Sequence, residues 1–100
     1  MAEEKRAIRF MVEGRVQGVS FRFYTRENAD RLDLVGYVRN LSDGRLEVVA
    51  YGTEKHLDGL EKKLHKGPRM ARIESIEREE VSAEELKELE QRDIFEIKLN

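Results

Sequence analysis

Cysteine is missing from the chain. A disulfide framework, a cysteine-ligated metal and a thiol nucleophile are therefore excluded. Proline occurs once, at Pro68, and no low-complexity linker or internal repeat interrupts the sequence. Met1 to Arg6 lacks the apolar core of a signal peptide, and no run is long and apolar enough to span a membrane. Neither sign of charge dominates, with 19 Lys and Arg against 21 Asp and Glu and a formal net charge of −2. A nucleic-acid or anionic-membrane surface would need a basic excess. These absences leave the expectation of a cytoplasmic protein with neither nucleic acid nor membrane as partner.

What is present fits one domain over residues 1–100, with residues 1–5 as a flexible N-terminus. Hydrophobic residues make up 39% of the chain, enough for one modest core, and charged residues reach 40% where about a quarter is usual. Dense charge of both signs is a feature of thermophilic proteins.

The apolar pattern sets the elements. Ile8, Phe10 and Val12 alternate with Arg9, Met11 and Glu13, as in a half-buried strand. Phe21, Thr25, Ala29 and Leu32 recur at helical spacing, with Ser20 placed as N-cap. Asp33 then stands where a helix end favours Gly or Asn. A strand over 35–40 and a return strand over 45–51 flank Leu41-Ser42-Asp43-Gly44, a strong hairpin signal. Thr53 caps a second helix with a Leu57, Leu60, Leu64 stripe, and Gly67-Pro68 ends it. Ile73 and Ile76 are out of phase for strict alternation, which predicts a bulge or a late start in a fourth strand over 73–81. Ser82 and Glu85 form a capping box ahead of a short helix that half packs. Phe95, Ile97 and Leu99 alternate in a final strand.

The order β-α-β-β-α-β plus one further strand predicts an α+β, ferredoxin-like sandwich. Two helices cover one face of a mixed, mainly antiparallel sheet, with an extra C-terminal strand.

The stretch from Gly14 to Arg22 reads as a phosphate cradle or, alternatively, as a tight strand-to-helix turn whose glycines serve geometry and whose arginine sits in solvent. Glycine lets the backbone approach a ligand and take positive φ. A loop running into a helix N-terminus gathers unpaired N–H donors. The planar fork of Arg22, in the first helical turn, suits phosphate oxygens. No Gly-Lys-Ser/Thr closes the loop, so it is not a Walker loop, and its glycine spacing is wrong for a dinucleotide fingerprint. Asn40 ends the second strand, on the side of a split β-α-β fold that the first loop approaches. An amide there can hold a water in line by accepting and donating; alternatively, Asn40 simply opens the turn. His56 and His65, nine positions apart in one helix, do not share metal-ligand spacing, and Glu79-Glu80 and Glu84-Glu85 read as solvated charge. No metal and no cofactor are expected.

Together these stretches resemble the acylphosphatase family. Gly14-Arg15-Val16-Gln17-Gly18-Val19-x-Phe21-Arg22 looks like its first signature and Gly36-Tyr37-Val38-Arg39-Asn40-Leu41-x-Asp43-Gly44 like its second. Gly67-Pro68 with Ala71-Arg72-Ile73, and Phe95-Glu96-Ile97, are similar to its later segments. Ser20, Asp33 and Arg69 depart from common family residues (Gly, Gly and Pro), and the segment from Ser82 to Gln91 is longer and more helical than usual.

The resemblance implies hydrolysis of an acyl phosphate to a carboxylate and inorganic phosphate, the latter also an inhibitor; a monomer is the simplest expectation for the oligomeric state. It implies that Arg22 and backbone amides from Arg15, Val16, Gln17, Gly18 and Val19 bind the phosphoryl group; the departure at Ser20 adds a hydroxyl donor near the phosphate. Asn40 orients the attacking water. Two other classes share the expected fold. One is a non-catalytic phosphate-, acyl-phosphate- or RNA-binding module, for which the open sheet face would offer Arg9, Met11, Glu47, Val49 and Tyr51, a poor stacking platform. The other is an idle acylphosphatase-like domain of a larger maturation factor that binds carbamoyl phosphate. The absence of zinc-finger cysteines and further domains speaks against that one.

Overall fold

A computed structural model describes residues 3–99 of the protein. Its elements run β1 (Lys5–Arg15), α1 (Phe21–Arg31), β2 (Val35–Asn40), β3 (Leu46–Thr53), α2 (Glu54–Lys66), β4 (Arg72–Glu80), α3 (Ala83–Glu90) and β5 (Phe95–Ile97). The strands form one sheet in the order β4-β1-β3-β2-β5. Every pairing is antiparallel except that of β2 with β5. This is the expected split β-α-β sheet with an added edge strand.

Alternation decides the faces. Ile8, Phe10 and Val12 of β1 stand opposite Ala50, Val48 and Leu46 of β3. With Val38 they make a fully buried face, packed against Phe21 and Ala29 of α1 and Leu57, Leu60 and Leu64 of α2. Burying such side chains contributes roughly 1.5–3 kcal/mol each, so this layer carries most of the stability.

The other face departs from expectation. Helix α3 lies across it, with Leu89 buried against Ala7 and Val49 and with Tyr37, Tyr51, Val81 and Leu86 around them. Val49 and Glu47, expected on an open surface, are 0% and 6% exposed. The capping box forms as expected: the Ser82 Oγ accepts from Glu85 N–H at 3.1 Å while Glu85 Oε1 accepts from Ser82 N–H at 3.4 Å. The tip of α3 is then held by the ion pair of Glu85 with Arg9, whose Nε also donates to Glu47 at 3.0 Å.

Three smaller expectations are corrected. Lys5, placed in the flexible N-terminus, pairs with Thr53 as the first residue of β1; Met1 and Ala2, the start of that segment, lie outside the described residues. Ser20 occupies the N-cap position of α1, but its side chain makes no capping bond, because φ 62° and ψ 26° put it in the left-handed region rather than the extended conformation a capping serine needs. Leu99 lies beyond β5, which ends at Ile97. The bulge is where the phase break put it. Glu13 opposes Ser75 and Gly14 opposes Ile73, so Glu74 is the extra residue, and Ile73 and Ile76 both turn to the core.

Candidate active site

The sheet register builds the site. β1 and β2 both run antiparallel to β3, so both end at the same edge of the sheet. Leu46, at the start of β3, stands opposite Val12 of β1 and Asn40 of β2. The loop that leaves β1 therefore emerges beside Asn40. β5 runs parallel to β2, with Ile97 level with Val38, so the chain beyond it reaches that edge too.

The two cradle glycines do different work. Gly14, at φ 136°, lies within β1, and a Cβ there would sit 2.1 Å from the Arg72 carbonyl oxygen. It serves the close approach of β4, not a ligand. Gly18, at φ 73°, has nothing within 4 Å of its Cβ position. Its open side belongs to the cavity, and its positive φ turns the backbone toward the helix.

Gln17 holds the loop in place. Its Nε2 donates to the carbonyls of Leu41 at 2.9 Å and Arg45 at 3.1 Å, at the two ends of the β2–β3 turn. Leu41 N–H in turn donates to Arg45 O at 2.8 Å. The first intrahelical bond of α1 runs from Tyr24 N–H to Ser20 O at 3.0 Å. The amides from Ser20 to Phe23 thus have no partner inside the helix, and they concentrate the positive end of its dipole at the loop.

A cavity of about 360 Å³ is lined by Val16, Gly18, Ser20, Phe21, Arg22, Phe23, Asn40, Ile97 and Leu99. It brings together Arg22, Asn40, Gly18 and Ser20, with the buried Val16 also in its lining. Arg15 lies on β1, exposed and outside the cavity lining, and Val19 packs against the core. The Gln17 side chain is turned to the hairpin. Arg22 carries no ion pair among the described residues, unlike Arg9, Arg39 and Arg78, each held by carboxylates. Phe23, Ile97 and Leu99 were missed by the sequence reading. Phe23 could have been found, since it lies outside the α1 core stripe directly after Arg22. The other two depend on β5 pairing with β2.

Sheet, loop and cavity together define a small α+β protein with a cavity at a helix N-terminus. The acylphosphatase family model matches residues 8–97, and the chain belongs to the acylphosphatase family. It is 56% identical to an acylphosphatase of Pseudomonas aeruginosa over 70% of this chain and 77% of that one. It is 44% identical to one from Koribacter versatilis over 84% of this chain and 76% of that one. The crystal structure of acylphosphatase from Bacillus subtilis superposes with a TM-score of 0.84 at 32% identity, covering 96% of this chain and all of that one (100%). The fold also matches 12% of full-length HypF, solved in a phosphate- and nucleotide-bound form, with a TM-score of 0.83 at 26% identity. The protein is an acylphosphatase and hydrolyses acyl phosphates.

Proposed function

We propose that the reaction runs at the β1–α1 cradle without a metal, Arg22 and the loop amides holding the phosphoryl group and Asn40 holding the water. The observation that carries this reading is the convergence of Gly18, Ser20, Arg22 and Asn40 on one cavity. The phosphoryl oxygens sit against the guanidinium fork and against amides of the loop from Val16 to Val19, Arg15 being held in β1. The Ser20 hydroxyl adds one further donor. The water held by Asn40 attacks phosphorus in line. The P–O bond to the acyl group breaks, and the carboxylate leaves with the electron pair. The water's proton passes to a phosphoryl oxygen. Phosphoryl transfer has a loose transition state, so positioning and charge stabilisation supply most of the rate. A carboxylate leaves readily without a general acid, so the cradle does its work with no His, Asp or Glu between Arg15 and Arg22.

Hydrolysis of benzoyl phosphate by EDTA-treated protein tests the assignment. Arg22→Ala is expected to lower turnover at least about 10³-fold and to abolish competitive inhibition by phosphate. Retained phosphate inhibition would place the cradle elsewhere.

The RNA-binding alternative loses support because α3 covers the sheet face it would use. No helix of the described residues is long and apolar enough to cross a membrane. We read the protein as a single-domain, cytoplasmic monomer, and its balanced charge offers no basic excess for a nucleic-acid partner. The density of ion pairs supports a thermophilic source.

A further inference from the structure

The same cavity has apolar lining that the phosphate chemistry does not use. Val16, Phe21, Phe23, Ile97 and Leu99 line it beside the polar groups, and among the described residues no carboxylate or lysine lines it. Among the described residues the large hydrophobic side chains left exposed are Phe23, Met70, Ile94 and Leu99. Two of these four stand at the mouth of this one cavity. Phe23 is 49% exposed and Leu99 81%, so neither position is explained by core packing. The Phe23 ring is steadied by the Arg26 guanidinium, 5.3 Å from its centroid. Leu99 is brought in by the parallel edge: Lys98 N–H donates to Val38 O at 2.9 Å, one residue before Leu99 and two before Asn40.

We infer that Phe23, Ile97 and Leu99 form a subsite for the acyl group and select acyl phosphates whose acyl part is apolar and of aromatic size. The inference rests on the phosphoryl group occupying the cradle as proposed above. With phosphorus between Arg22 and Asn40, the leaving carboxylate projects toward the open mouth of the cavity. An apolar acyl group there covers Phe23 and Leu99 and gains their contact. An acetyl group is too short to cover them. An acyl group ending in a second carboxylate would lose water while Arg22, the one cation lining the cavity among the described residues, is already engaged by the phosphoryl group, which costs free energy.

The test compares kcat/KM for benzoyl phosphate, acetyl phosphate and succinyl phosphate in the unmodified protein, Phe23→Ala and Leu99→Ala. Met70→Ala, an exposed hydrophobe away from the cavity, serves as control. The unmodified protein is expected to favour benzoyl over acetyl phosphate about tenfold, mainly through KM, and to disfavour succinyl phosphate. Tenfold is the low end for an apolar group in an enclosed pocket, as fits an open rim. Phe23→Ala and Leu99→Ala are each expected to cut the benzoyl-to-acetyl ratio at least about threefold, and Met70→Ala to keep it. Comparing ratios between variants cancels the intrinsic reactivity of the substrates. A ratio unchanged by both rim variants, or lowered equally by Met70→Ala, overturns the subsite while acyl phosphate hydrolysis stands. Loss of phosphate inhibition in Phe23→Ala also overturns it, since Phe23 would then be acting on the cradle. Turnover of all three substrates that survives Arg22→Ala overturns the cradle assignment and the subsite with it.

Discussion

Ser20 holds a conformation that its side chain does not favour. A non-glycine residue in the left-handed region costs about 1–2 kcal/mol, and Ser20 sits there at φ 62°. The turn from cradle to helix requires it. Ser20→Gly removes that strain but adds about 0.4–1 kcal/mol of unfolded-state entropy. The expected net is a gain of up to about 1 kcal/mol, read as a melting-temperature rise of a few degrees. If the hydroxyl also donates to the phosphoryl group, the same variant binds phosphate more weakly while melting higher. Asn40 is the other residue whose role one substitution isolates. Asn40→Ala is expected to lower kcat about 10²–10³-fold and to leave the phosphate inhibition constant near that of the unmodified protein. Equal losses in both would make Asn40 an anion ligand and not a water holder.

Two elements are fastened by side chains that bridge long stretches of sequence. The cradle is tied to the β2–β3 turn by Gln17, through its bonds to Leu41 and Arg45. Each is worth about 0.5–1.5 kcal/mol net. Gln17→Ala should therefore lower the melting temperature by a few degrees, speed the loop's amide exchange and weaken phosphate inhibition by about five- to tenfold. Helix α3 is tied to the sheet through Glu85. Burial opposes the charge of that carboxylate, but bonds from Ser82 and the nearby Arg9 guanidinium outweigh it and hold its pKa below the ordinary glutamate value. A group depressed in the folded state adds stability above its unfolded pKa, about 4.3, and loses it as pH falls through the folded value. Glu85→Gln is expected to lower stability near neutrality and to flatten its decline below about pH 4.5. Melting curves between about pH 3 and 7 would register both effects.

At the scale of the whole molecule, ion pairs knit helices to sheet. Arg78 on β4 meets Glu54, Asp58 and Glu61, all on α2, at 2.5, 3.0 and 2.8 Å. Its guanidinium lies over the buried Phe10 ring, 5.8 Å from the centroid. The neighbouring carboxylates push its pKa further up, against desolvation, the largest single effect. Arg6 adds contacts to Glu54 and Glu80. Partly solvated pairs are individually weak, and salt screens them. Arg78 is the shared centre of three, however, and its removal leaves three carboxylates facing one another. Arg78→Gln should destabilise the protein by about 1–2 kcal/mol, a loss that shrinks in 1 M salt. An equal loss at low and high salt would mean that the packing against Phe10 is what matters.

Information carried by neighbours in the chain was legible in the sequence. Alternation identified β1 and β3, the Asp43-Gly44 turn joined β2 to β3, and Ser82 with Glu85 opened α3. Two contiguous signatures contained Arg22 and Asn40. Each of these depends on backbone sterics or on hydrogen bonds spanning a few residues, so local residue types determine it. Contacts between distant segments were decided by the tertiary structure alone. Periodicity marks a face as apolar without naming what covers it, so α3 on the second face of the sheet was not foreseen. The left-handed Ser20 follows from where β1 must release the chain and where α1 must begin. Ile97 and Leu99 reach the cavity only because β5 pairs parallel to β2, a choice made by packing between segments some sixty residues apart.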